Sequence, residues 1–186
     1  VFRWSAPDGD GEAAWELEQL LVDPSPGLGD NFGQSVGVAG EVVVVGAWLD
    51  DDGQDNRGSA VVFRDFGAPV DPWEFDARLL ANPAGDGDQF GRSVAIDDTG
   101  TLIVAGASGR DDGGIVNVGA AYLFLDNGAF WQGSDAPLQA LDGSANDSLG
   151  NGVAVSVDVV VVGARNSDGG GIGANAGAAY TFRPDF

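Results

Sequence analysis

Apolar residues along this chain fall into short runs of four to eight, each bounded by Gly, Asp, Asn or Pro. Such runs, broken by turn-forming residues, are the signature of strands; a surface helix needs a longer stretch with a 3.6-residue period. Two kinds of run alternate. Ser35-Val36-Gly37-Val38 is apolar at every second position, whereas Val42 to Ala47 is apolar throughout. A strand with one wet face alternates, and a strand apolar on both faces lies in a sheet covered on both sides. The one helix-like stretch is residues 12–21 (EAAWELEQLL).

The runs recur in a fixed order. Trp15, Trp73 and Trp131 are spaced 58 residues apart. After each comes an acidic turn (Asp30, Asp88, Asp147) and then a pair: Phe32-Gly33, Phe90-Gly91, Leu149-Gly150. A fully apolar run ending in Gly-Ala follows: Val42 to Ala47, Leu102 to Ala107, Val159 to Ala164. A loop rich in Gly and Asp leads to Gly58, Gly119 or Gly177, which opens a third run, and a fourth begins near the next Trp. Alignment with the later copies makes 12–21 a strand too. Repetition at this period marks an array of identical supersecondary units. Four short strands per unit, stacked so that each sheet is covered by its neighbours, describe propeller blades.

The predicted fold is therefore all-β, a repeat of four-stranded antiparallel blades, β-propeller-like. Residues 1–31 read as a half blade with third and fourth strands, 32–89 and 90–148 as blades, and 149–186 as a blade lacking its fourth strand. Val1-Phe2-Arg3 aligns with Val62-Phe63-Arg64 and Thr181-Phe182-Arg183, so the sequence opens and closes in a third strand. In the first full copy strands are expected near 32–38, 42–47, 58–64 and 76–81. Val44, Ile103 and Val161 are expected to be buried, the repeated Trp to pack between blades, and the Gly before each third strand to end a turn or leave room for a neighbouring sheet.

The paired dipeptides resemble the FG-GAP repeat family, which includes the propeller of integrin α chains and many secreted bacterial proteins. Phe32-Gly33 with Gly46-Ala47 and Phe90-Gly91 with Gly106-Ala107 match the signature; the third copy keeps Gly163-Ala164 but has Leu149-Gly150. The family's proline is replaced by Trp48, Ser108 and Arg165. The resemblance implies a propeller, an extracellular or cell-surface setting, and adhesion or binding rather than catalysis. Integrin-type calcium loops lie between the two dipeptides. Here those connections are only Ala39-Gly40-Glu41, Asp97-Asp98-Thr99-Gly100 and Ser156-Val157-Asp158, too short to carry the family's ligands over.

Composition narrows the chemistry further. Acidic residues number 29 against 8 Arg, for a net charge of −21, and Lys, His, Cys and Met are absent. No imidazole, thiolate or amine chemistry is available, and nucleic acid and anionic lipid are repelled. No apolar run is long enough for membrane insertion as a helix. A glycosidase needs only two carboxylates, but nothing singles a pair out. Oxygen ligands for calcium are densest in the loop after the Gly-Ala run: Asp50, Asp52 and Asp55 in the first copy, Asp111 and Asp112 in the second. Asp, Asn and Gly also make good turns without any ion. Asn146-Asp147-Ser148 fits a glycosylation sequon.

The function expected is a non-enzymatic extracellular structural or adhesive module. It would assemble head to tail with copies of itself when residues 13–22 complete the sheet of 149–183, as a filament or a multichain ring. Trp15, Leu17 and Leu20 on one side and Tyr180 and Phe182 on the other would carry that contact. The alternative is a carbohydrate- or protein-binding segment of a larger secreted protein, with another surface protein or a glycan as partner.

Overall fold

The computed structural model describes residues 1–5, 14–51, 53, 55–68 and 72–183. Among these every regular element is a strand. A hairpin joins β1 (Phe2–Ser5) to β2 (Ala14–Leu17). The first blade is β3 (Ser35–Ala39), β4 (Val42–Ala47), β5 (Ser59–Asp65) and β6 (Trp73–Leu79), hydrogen-bonded in that order. The second is β7 (Phe90–Ile96), β8 (Leu102–Ala107), β9 (Ala120–Asp126) and β10 (Trp131–Gly133). The third holds β11 (Leu149–Ser156), β12 (Val159–Ala164) and β13 (Ala178–Phe182). All pairings within the sheets are antiparallel.

The sheets stack face to face, which is why the second strands are apolar on both faces. All six residues of β4 are buried. Val42 and Val44 meet Phe90, Val94 and Ile103 of the second blade. Val43 and Val45 join Val61, Phe63 and Trp73 on the other face, where Val1, Leu21 and Phe32 lie against them. On the far side of the second blade, Leu102 and Val104 pack with Leu149, Val160 and Val162.

Four expectations need correction. Val161 is half-buried, whereas Val44 and Ile103 are fully buried. Val160 and Val162 face the second blade, which leaves Val161 on the opposite side of the third sheet. Trp15 is 67% exposed and meets Trp4 edge to face at 5.4 Å, instead of packing between blades as Trp131 does, and Trp73 is buried on the outer face of the first blade with Val1 and Leu21. Of residues 12–21, the strand occupies Ala14–Leu17, and 12 and 13 lie outside the described residues. The first strand of the first blade also begins late, at Ser35, while its counterparts begin at Phe90 and Leu149.

Val44→Ala is expected to cost about 2 kcal/mol, because its methyls are buried on all sides. Val161→Ala is expected to cost well under half as much. Urea midpoints of the two variants check this, and equal losses would contradict the one-sided burial of the third sheet.

The β7–β8 turn is closed by one carboxylate. Asp97 is 2% exposed and accepts the Thr101 and Leu102 N–H groups at 2.9 and 2.8 Å and the Thr99 hydroxyl at 2.5 Å. Burial pushes this carboxyl up, but the bonds from Thr99, Leu102 and Thr101 outweigh it and hold it below the usual range. A depressed folded-state pKa stabilises above the unfolded value, and the gain is lost as pH falls through the folded one. Asp97→Asn is therefore expected to cost roughly 1 kcal/mol at pH 7. Its deficit relative to wild type should close below about pH 4, as pH-dependent urea titrations would show.

Candidate functional site

The contact between consecutive blades is the most specific structure in the molecule, and main chain makes most of it. The Phe90-Gly91 pair lies across the glycines that end β4 and precede β5, with a parallel bridge between Gly58 and Phe90. A Cβ on Gly46 would stand 1.9 Å from the Gly91 carbonyl oxygen, and one on Gly58 2.1 Å from that of Phe90. The next seam repeats this with Gly106 against Gly150 (2.0 Å) and Gly119 against Leu149 (2.2 Å). No real Cβ tolerates such distances, so the glycines serve as sockets as well as turn residues. Ser35 and Ser93 donate their hydroxyls to the carbonyls of Gly91 and Gly150, both at 2.8 Å. Phe90, fully buried, meets Tyr122 and Phe124 edge to face at 5.6 and 5.8 Å.

The acidic loops belong to the same seam. Carbonyls of Asp55, Asn56 and Arg57 accept the N–H groups of Gly87, Gln89 and Phe90 at 2.8, 3.1 and 2.9 Å. In the next copy Val116, Asn117 and Val118 accept from Asn146, Ser148 and Leu149 at 2.8, 3.1 and 3.1 Å. The left-handed backbone at Asn56 and Asn117 (φ 52° and 49°) points these carbonyls at the neighbouring blade, and asparagine is the residue besides glycine that visits this region readily.

The carboxylates named as calcium ligands have other neighbours. Asp50 is buried, accepts the Ser59 hydroxyl at 2.5 Å, and pairs with Arg78, which also pairs with buried Asp23. Asp111 accepts the Asn117 N–H at 2.7 Å, as Asp51 does that of Asn56. Asp112 pairs with Arg110 at 3.1 Å. Asp55 is exposed and Asp52 lies outside the described residues. Among the described residues no group of three or more carboxylates is gathered as a metal site. In the third copy Asp168 accepts the Asn175 N–H at 3.1 Å. The acidic turns before each Phe/Leu-Gly pair are closed alike, with Asp88 and Asp147 accepting from Gly85 and Ser144 at 2.8 Å. Burial pushes the Asp88 carboxyl up, against that N–H and the nearby Arg110.

The residues named for assembly divide into two groups. Trp15, Leu17 and Leu20 are exposed at 67%, 61% and 75%. Tyr180 and Phe182 instead turn inward onto the cluster between the second and third blades, and the Tyr180 hydroxyl donates to Asp142 at 2.9 Å. What β13 presents outward is a main-chain edge that no strand among the described residues pairs with. Sequence reasoning missed the Asp23–Arg78–Asp50 group and a second seam network, in which Asp76 takes the Arg64 guanidinium and the Trp131 indole N–H at 3.2 and 2.9 Å.

The FG-GAP repeat family matches the chain three times, over residues 15–63, 73–124 and 133–182. No curated protein matches the sequence.

Proposed function

The chain belongs to the FG-GAP repeat family, and from that premise we propose that it is a non-enzymatic structural or adhesive module that assembles head to tail with copies of itself. Repeats of this family are in general extracellular propeller modules of adhesion rather than catalysis. One observation supports the finer reading. Among the described residues the third sheet ends in β13 with a free edge, while the β1–β2 hairpin is a separate two-stranded sheet carrying exposed Trp15 and Leu17, with exposed Leu20 just beyond it. Free edges and exposed apolar side chains are the features that chain-to-chain pairing covers.

Sedimentation of the purified chain over a dilution series tests the reading. A mass that rises above one chain with concentration is expected. A single-chain mass at every concentration would remove self-assembly and leave the binding of a different partner. The exposed Trp4–Trp15 pair favours a glycan as that partner, since aromatic faces stack on sugars. A glycan array read with Trp15→Ala as control separates the two.

A further inference from the structure

We propose that the open face of the third blade is the socket for the Phe32-Gly33 turn of a second copy, so that the chains join through the same seam that joins blades within one chain. This rests on the head-to-tail reading and specifies its contact.

The argument is one of repeat position. The third blade carries every acceptor of the seam. Gly163 and Gly177 stand where Gly46 and Gly58, and then Gly106 and Gly119, receive the next blade. Among the described residues the nearest atoms to a Cβ on Gly163 are those of Gly152 at 3.6 Å or more, so none of them fills the socket. Ala174, Asn175 and Ala176 align with Val116, Asn117 and Val118, with Asn175 held at φ 54° by the same left-handed turn. Among the described residues no donor reaches their carbonyls. Val161 lies on this face, half-buried, where its counterpart Val104 is fully covered.

The first blade carries every donor. Gly29, Asn31 and Phe32 align with Gly87, Gln89 and Phe90, and among the described residues their N–H groups have no acceptor. A Cβ on Gly33 would meet nothing within 4 Å, whereas one on Gly91 would lie 2.1 Å from Ser59. Val36 and Val38 are 66% and 68% exposed, although the equivalent Val94 is buried. They line an apolar groove of about 550 Å³ with Phe32, Val43 and Val45. The two faces are therefore complementary in hydrogen bonds, in sockets and in apolar surface, and a second copy supplies both. One element is weaker than within the chain: Gly152 replaces the serine that Ser35 and Ser93 supply to the other seams. Docking also brings Thr181–Arg183 to the repeat position of Val1–Arg3, so the second copy's β13 displaces the start of β1.

Copies that each carry a net charge of −21 repel one another at long range, so added salt should strengthen this contact. A basic partner would be released by salt instead.

The test is sedimentation of wild type and two single variants at low and high salt. Gly163→Ala blocks the socket, and its added methyl meets nothing closer than 3.6 Å within its own chain. Val38→Glu places a charge in the groove at a position exposed in the single chain. Wild type is expected to associate, more strongly at high salt. Each variant alone is expected to associate at least tenfold more weakly with an unchanged urea midpoint. Mixed, they should form a one-to-one pair, because each retains the face the other has lost. Gly152→Ser should tighten association about fivefold through the restored hydroxyl bond. Association of wild type that neither variant weakens, or variants that fail to complement when mixed, would overturn this contact while leaving self-assembly standing. A wild type that stays a single chain throughout would overturn both.

Discussion

Gly91→Ala is expected to destabilise the chain by roughly 3–5 kcal/mol, enough to unfold much of the population of a domain with ordinary stability. Two effects add. The backbone at Gly91 has φ 81°, where an L-residue loses about 1–2 kcal/mol. The new Cβ would also stand 2.1 Å from the Ser59 carbonyl oxygen, in a seam where both partners are main chain of packed sheets and neither can swing aside. Relief requires the first and second blades to separate, which uncovers Phe90 and the cluster around it. Circular dichroism and urea titration would measure the loss. The informative contrast is Gly33→Ala, the same change at the equivalent glycine of the first blade, where φ is 94° and a Cβ meets nothing within 4 Å, so that only the backbone cost of about 1–2 kcal/mol is expected.

Arg78→Ala is expected to cost about 3–5 kcal/mol by a different route. The Arg78 guanidinium stands between Asp23 and Asp50, whose side chains are 3% and 7% exposed, and donates to the Ser59 hydroxyl at 2.8 Å. The substitution takes the Arg78 guanidinium away from two buried carboxylates. The loss should shrink when Asp23→Asn and Asp50→Asn are added, because neutral amides lose less than carboxylates do when the guanidinium is gone. Chemical denaturation of the single and triple variants decides this. A triple variant as unstable as Arg78→Ala would show that the arginine stem matters more than its charge.

The sequence made the strands and the blade order legible because both follow from burial with a short period. β4, β8 and β12 were placed by unbroken apolar runs ending in Gly-Ala, and they fall where expected. The glycines before the third strands were read correctly as room for a neighbour, though not as sockets for a particular carbonyl, which needs the distance. The late start of β3 and the half-exposed Val161 were invisible for a common reason: repeat alignment treats all copies as equivalent, and these two residues lie on blade faces without a full neighbour. In the acidic loops composition does not separate two roles for the same residue type. Asp51 and Asp111 recur because they fold a loop that offers carbonyls to the next blade, and a turn-capping aspartate has the same letter as a metal ligand. The Arg78 group left no repeat signal at all. The place of Asp50 is held by Arg110 in the second copy and Ser167 in the third, and those of Asp23 and Arg78 by Ala81 and Ala136.

A joint built from glycine sockets and main-chain carbonyls sets few conditions on the rest of each unit. A blade needs only its Gly-Ala end, the glycine before its third strand, and a large apolar residue followed by glycine at its start; Leu149 serves there as well as Phe90. Genes encoding such units can therefore lengthen or shorten by whole-unit duplication and deletion, since an inserted copy meets the same joint on either side. The residues on blade edges and loops are left free to diverge, and the number of blades becomes something recombination can change without refitting any core.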